Sequence, residues 1–249
     1  MMKPFSNRII VWTEIPSMSR QSFGLIVICE TTRRTLLVQM KDSPEFLHFA
    51  RGFFRKSDIP SILLCCTENE HNLIRQICDC EPSKRRSVLE NILRERFSEE
   101  QISKFLDTSL RRISDDIASI KEGLLSISPQ ENHYWLWPKG GINKEESPID
   151  CAIRETREES GVEISKDQIS FDYGSLSVES ISFFGSTFKT CYYVAFVDSE
   201  IESKDFDVKE ISKVEWVSLD EAKKRVSLNY SKLVDEIKKI VQRRLNAEE

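Results

Sequence analysis

The segment Ser147–Val162, SPIDCAIRETREESGV, leaves the chain little conformational choice. Ser147 is a strong helix N-cap, with Asp150 completing a weak capping arrangement. Pro148 is preset for the first helical position, and Gly161 is a natural stop. Between these ends Ile149, Ala152, Ile153 and Thr156 recur at i, i+3, i+4 and i+7. That spacing predicts one apolar face, which should pack on a sheet. Glu155, Glu158 and Glu159 fall elsewhere, within an arc of roughly 100°. Glu158 and Glu159 lie in the last turn, where the macrodipole disfavours each by several tenths of a kcal/mol, roughly. Arg154 can pair with Glu158 one turn on. Glutamates on a helix commonly form a solvated face, but these are crowded where crowding costs stability. A divalent cation would remove the conflict, since hard cations take oxygen ligands and Mg2+ is often shared between carboxylates and phosphates.

The remainder of the chain frames this helix. SFGLIVICE, the polar turn TTRR and TLLVQM read as a strand hairpin suited to a buried sheet. From SPEFLHFARGFF to about Ser128 the pattern becomes helical, with Ile102, Phe105 and Leu106 starting an i, i+3, i+4 stripe. HYWLWPKGG returns to extended structure. After the Ser147 helix, QISFDYGSLSVESISFFGSTFKTCYYVAFVD reads as antiparallel strands, EISKVEWVSL as another strand, and DEAKKRV and YSKLVDEIKKIVQRRL as helices. The expected layout is residues 1–42 as an N-terminal segment with the first strands, 43–130 as a helical insertion, and 131–249 as the core. The net charge of −5 supplies no global basic field, so any nucleic acid needs a local patch. There is no bilayer-length apolar run and no signal-peptide h-region at the start. The seven cysteines read as reduced thiols of a cytosolic protein. Cys65, Cys66, Cys78 and Cys80 lack the C-x2-C spacing of zinc sites.

Gly140, five residues, Glu146, seven residues and then RETREESGV reproduce G-x5-E-x7-R-E-U-x-E-E-x-G-U over 140–162. The chain therefore resembles the Nudix hydrolases. Thr156 departs from the aliphatic residue expected at its position, while still offering a methyl to the packing face. The resemblance implies an α/β class: an α/β/α sandwich around a mixed sheet, here with a mostly helical insertion between the first hairpin and the box. It also implies hydrolysis of a nucleoside diphosphate linked to another group, with Mg2+ or Mn2+. Glu155, Glu158 and Glu159 would bind metal, with Glu159 the first choice of general base and Arg154 orienting Glu158. Gly140 or Gly141 would offer a backbone carbonyl. Glu210, in KEISKVEW, is the candidate for a further acid and reads equally well as a surface residue.

The segments SPEFLHFARGFF, CTENEHNLIRQI and WLWPKGG resemble the decapping Nudix enzymes of large cytoplasmic DNA viruses, the poxvirus and African swine fever virus type. WPKG and EISKVEW also resemble the eukaryotic cytoplasmic decapping enzyme. That likeness implies capped mRNA as substrate, 7-methyl-GDP and 5′-monophosphate RNA as products, and the cytoplasm, that of the host if viral, as location. Lys139 could contact a phosphate. Lys84, Arg85, Arg86, Arg94, Arg96, Arg111 and Arg112 could track RNA, although acids are interleaved and such residues are usually solvated charge. Tyr134 and Trp135 are available for cap stacking, as are Trp137, Phe23 and Tyr173. His48 and His133 read as structural or solvent-facing. A hydrolase of diphosphoinositol polyphosphates or dinucleoside polyphosphates is the alternative, and a binding module on an inactive scaffold is disfavoured by the intact box.

Overall fold

A computed structural model describes residues 20–131, 134–181 and 187–248. His133 and the first nineteen residues therefore lie outside the described residues. In chain order the elements are β1 (Arg20–Cys29), β2 (Arg34–Met40), α1 (Pro44–Ala50), α2 (Ile59–Cys65), α3 (Glu68–Asp79), α4 (Arg85–Arg94) and α5 (Glu99–Ser126). There follow β3 (Trp135–Leu136), β4 (Lys139–Gly141), α6 (Pro148–Ser160), β5 (Ile169–Ser170), β6 (Leu176–Ile181), β7 (Thr187–Val197), β8 (Ile211–Ser218), α7 (Leu219–Arg225) and α8 (Leu228–Glu248). The chain divides into two compact units, Met40–Tyr134 and the remainder.

The unit made of 20–39 and 135–248 is a mixed sheet with helices on both faces. The strand order is β3-β2-β1-β7-β5, with β4 on β1, β6 on β7 and β8 on β2. β1 and β7 run parallel from Arg20↔Phe188 to Cys29↔Val197, while β2 and β4 pair antiparallel with β1. β6 and β7 form the expected antiparallel pair. The parallel contact joins segments far apart in sequence, so no local turn announces it. Alternation along β1 sorts the core. Phe23, Leu25, Val27 and Cys29 face one side with Cys151, Ala152 and Val162. Ile26 and Ile28 face the other with Trp137, Tyr192 and, from α8, Leu233, Val234 and Ile237. Each of these β1 side chains from Leu25 to Ile28 is fully buried, stabilising by about 1.5–3 kcal/mol apiece as an upper bound.

The second unit is all helical, built on Phe46, Phe49, Ile62, Leu63, Ile74, Leu89, Leu93, Ile113 and Ile120. Thr67 and Ser98 cap α3 and α5 in reciprocal capping boxes with Glu70 and Gln101. Glu70 also accepts from the Ser43 amide at 2.5 Å, which ties α3 to the start of α1. Arg96, read above among the cations that could track RNA, is buried instead. It pairs with buried Asp42 at 2.7 Å and donates to the Ile92 carbonyl at 2.8 Å. Arg85 is likewise buried, its guanidinium directed to the Ile77 carbonyl and Ser114 Oγ, both at 3.3 Å. Packing of α4 against α3 and α5 encloses Arg85, while Arg96, just past α4, is enclosed beside Asp42 and the Phe46 ring. None of the described helices is long and apolar enough to cross a membrane.

Truncating one member of the Asp42–Arg96 pair strands a buried charge. Asp42→Ala is expected to destabilise the protein by about 3–5 kcal/mol in urea unfolding monitored by circular dichroism. A loss below about 1 kcal/mol would show that the pair is solvated.

Candidate active site

α6 forms as its ends dictate. Ser147 Oγ accepts from the Asp150 amide at 3.1 Å, and Gly161 closes the helix in the left-handed region at φ 66. A Cβ at position 161 would meet the Lys204 carbonyl oxygen at 1.8 Å, so only glycine fits there. Ala152, Thr156 and half-buried Ile149 and Ile153 face the sheet. Thr156 resolves its departure from the pattern by donating its hydroxyl to the Ala152 carbonyl at 2.8 Å, which frees the methyl for packing.

One guanidinium organises the polar face. Arg154 Nε donates to Glu146 Oε1 at 2.8 Å, and its Nη2 to Glu146 Oε2 and the Gly141 carbonyl, both at 3.0 Å. Its Nη1 donates to Glu155 Oε1 at 2.7 Å and to Glu158 Oε2 at 2.8 Å. The paired Arg154 holds the Glu146 carboxyl down at about 2. Glu146 was legible only as a pattern position; its role as the bidentate partner of Arg154 was missed, because eight residues and a loop separate the two.

Glu155 lies against the backbone of Gly140. A Cβ there would sit 2.1 Å from the Glu155 Cδ, so the glycine makes the cradle. Burial raises the Glu155 pKa against the opposing pull of Arg154, with Glu158 and Glu210 adding repulsion. Glu159 was expected in the polar arc with the other two, but it is buried, with 6% of its surface exposed. Its Oε2 accepts from the Lys139 amide at 2.8 Å. Burial pushes its pKa to about 8, opposed by the Lys139 charge and amide and assisted by Glu155 and Glu210. Glu210 is exposed in the turn before β8, and its charge is felt by both buried carboxylates. A cleft of about 490 Å3 beside Glu158 is lined by Arg157, Gly161, Glu163, Lys204 and Asp205. A second, of about 570 Å3, is lined by residues such as Glu30, Phe171 and Arg244 and shares nothing with the box.

The remaining residues singled out above are scattered. Trp135 is half-buried, with the Arg225 guanidinium 4.9 Å above its ring. Trp137 is wholly core, donating from Nε1 to Thr35 Oγ1 at 2.9 Å. Tyr134 falls in the helical unit, its carbonyl accepting from the Met40 amide. In that unit Lys84 pairs with Glu81, Arg86 with Asp107, and Arg94 with Glu90 and Glu99. Arg111 and Arg112 are exposed.

Residues 120–237 match the family model described as NUDIX domain. The chain carries a Nudix domain. Three relatives are similar to it. A protein of Acanthamoeba polyphaga mimivirus, provisionally described as an mRNA-decapping protein, is 25% identical over 77% of this chain and 60% of its own length. The mRNA-decapping protein g5R of African swine fever virus is 31% identical over 40% of this chain and 44% of its own. The m7GpppN-mRNA hydrolase dcap-2 of Caenorhabditis elegans is 36% identical over 40% of this chain and 13% of its own. The chain thus spans 60% or less of each of these proteins.

The Nudix carboxylates suit a hard divalent cation. They offer only oxygen donors, the Gly140 cradle holds one of them in place, and two are driven upward in pKa by burial and mutual repulsion. Among the described residues no three such groups converge closely enough to hold an ion as they stand. Arg154 draws Glu155 and Glu158 to itself, and Glu159 turns to the Lys139 amide.

Glu159 gives a pH signature in metal-free protein. Its folded pKa, about 8, lies above the ordinary 4.5, so the fold binds the proton more tightly than the unfolded chain does. This stabilisation is complete below pH 4.5 and is lost as pH rises through about 8. In chelator, the parent should therefore lose stability relative to Glu159→Gln as pH rises across that window, read as the difference in Tm. A difference that is flat or of opposite sign would show Glu159 to be ionised throughout.

Proposed function

We propose that this chain is a Mg2+- or Mn2+-dependent Nudix hydrolase. Its substrate is capped RNA, cleaved in the cap pyrophosphate bridge to release 7-methyl-GDP and 5′-monophosphate RNA. The observation that carries the reading is the gathering of Glu146, Glu155 and Glu158 on one guanidinium, beside a buried Glu159 of raised pKa. The printed names of the viral and worm relatives support the choice of capped RNA among pyrophosphate substrates. With that substrate we read the cytoplasm as its place of action, that of the host for a viral source.

A pyrophosphate bridge is anionic and repels hydroxide. A bound divalent ion would clamp its oxygens and acidify the attacking water. Glu155 and Glu158, each with one carboxylate oxygen that Arg154 does not bind, would hold such an ion, with the Gly140 carbonyl and Glu210 as further candidate donors. Arg154 sets the positions of both ligating carboxylates. Glu159, ionised once positive charge is nearby, takes the proton of the water. Lys139, whose charge already bears on Glu159, faces a phosphate oxygen as that proton moves.

The test is incubation of cap-labelled RNA with Mg2+ or Mn2+ and identification of the released nucleotide. The diphosphate is expected, with long capped RNA strongly preferred to a free cap dinucleotide. Release of the monophosphate would assign a different bond, and faster turnover of a dinucleoside polyphosphate would assign a different substrate. Glu159→Gln should lower kcat by about 100-fold or more with Mn2+ affinity less affected. Gly140→Ala, which displaces Glu155, should weaken Mn2+ binding roughly 10–100-fold by paramagnetic resonance titration. Unchanged Mn2+ affinity in Gly140→Ala would remove Glu155 from the ligand set.

A further inference from the structure

The turn after α1 reads RGFFRK, Arg51–Lys56, and it holds an aromatic ring out of the core of the helical unit. Phe53 is 50% exposed. Its neighbours are fixed on either side. Gly52 adopts φ 72, and a Cβ there would meet the Ser109 Cα at 2.6 Å, so the turn lies directly on the backbone of α5. The Gly52 amide donates to the Phe49 carbonyl and the Phe53 amide to the His48 carbonyl, each at 2.9 Å. Ser109 Oγ donates to the Ala50 carbonyl at 2.7 Å. Phe54 turns inward and stacks on Phe49, with centroids 5.1 Å apart. The fold thus needs Gly52 and Phe54 and makes no use of the outer part of the Phe53 ring.

The cations next to Phe53 in sequence, and those on α5 beyond Ser109, differ from others in the same unit. Lys84, Arg86, Arg94, Lys104 and Lys121 each have a carboxylate within 3.1 Å. Arg55, Lys56, Arg111 and Arg112 are exposed, and among the described residues none forms a salt bridge. The Arg55 amide is bound to Asp58, and Asp107, one turn before Arg111, is directed to Arg86. Asp115 and Asp116 are the next acids along α5. Arg112 follows Ser109 by about 4.5 Å of helical rise and returns to within about 60° of its direction, on the side of α5 that meets Gly52, whereas Arg111, about 200° round, leaves from the other side. A lone exposed phenylalanine is unremarkable on a protein surface. One on a turn anchored to α1 and α5, followed directly by two exposed cations outside any salt bridge, offers a π-face near sites for phosphate.

We propose that Arg51–Lys56, with Arg112, is a docking surface for the single-stranded body of the RNA, a base stacking on Phe53 and neighbouring phosphates lying on Arg55, Lys56 and Arg112. The proposal rests on the reading that capped RNA is the substrate, and it locates where the chain beyond the cap is held. Every base has a π-face, so such stacking tolerates any sequence. Unpaired cations bind phosphate without first breaking an internal ion pair, and they release counterions from the strand.

The experiment uses the full chain and a fluorescein-labelled, uncapped, unstructured oligoribonucleotide, read by anisotropy across a salt series. Phe53→Ala should weaken binding about 5- to 100-fold. Arg55→Gln with Lys56→Gln should lower the slope of log affinity against log salt by about 1.4. Lys84→Gln, which removes a paired cation, should change neither, and hydrolysis of a free cap dinucleotide should match the parent in all three proteins. Parental affinity and salt slope in both turn variants would overturn the surface, as would an effect confined to sedimentation, which would assign Phe53 to self-association. If the turn variants bind normally while the parent releases 7-methyl-GDP, the surface falls and the hydrolase reading stands. If binding depends on Phe53 while the parent releases no diphosphate, the surface stands and the hydrolase reading falls.

Discussion

The Arg154 guanidinium is the contact on which the candidate site depends. It spends its donors on Glu146, Glu155, Glu158 and the Gly141 carbonyl, and so joins the loop before α6 to the middle of that helix. Without it, three carboxylates would share a short stretch of surface with no compensating charge. With it, two of them are held with one oxygen occupied and the other open. The cost of the acidic crowd is thereby offset locally, and the sheet beneath need only supply a firm seat for α6. That seat is the β1 face of Phe23, Leu25, Val27 and Cys29 packed on Cys151 and Ala152.

Glu159 shows how one helix yields different chemistry from adjacent glutamates. Glu158 stays half-exposed on Arg154, whereas Glu159 points under the Lys139 strand and is dehydrated. Dehydration raises proton affinity, and a raised proton affinity is what a base needs provided nearby positive charge can ionise it. The same burial costs stability wherever such a carboxylate must ionise with no positive charge beside it.

Much of the sandwich was legible because its signals are local. Ser147, Pro148 and Gly161 fix the ends of α6 by capping chemistry, and the continuous apolar run in SFGLIVICE marks β1 as a strand buried on both faces. The pattern over 140–162 located the carboxylates. What could not be read was set by packing between distant segments. Arg85 and Arg96 have the same local sequence character as Arg111, yet neighbouring helices close over the first two and leave the third open. The burial of Glu159 follows from the approach of β4, and the parallel run of β1 with β7 from a pairing that no turn declares.

The helical unit interrupts the chain between β2 and β3, two strands hydrogen-bonded side by side through Val38↔Leu136 and Gln39↔Trp135. Topologically it occupies the tip of a hairpin. Because the entropic cost of closing a loop grows only logarithmically with its length, a hairpin tip can accept a whole folded body for little more than a long loop would cost. Lineages could therefore exchange, enlarge or discard this body while the strands on either side kept their register. Sequence drift in Met40–Tyr134 would then proceed largely independently of drift in the sandwich that carries it.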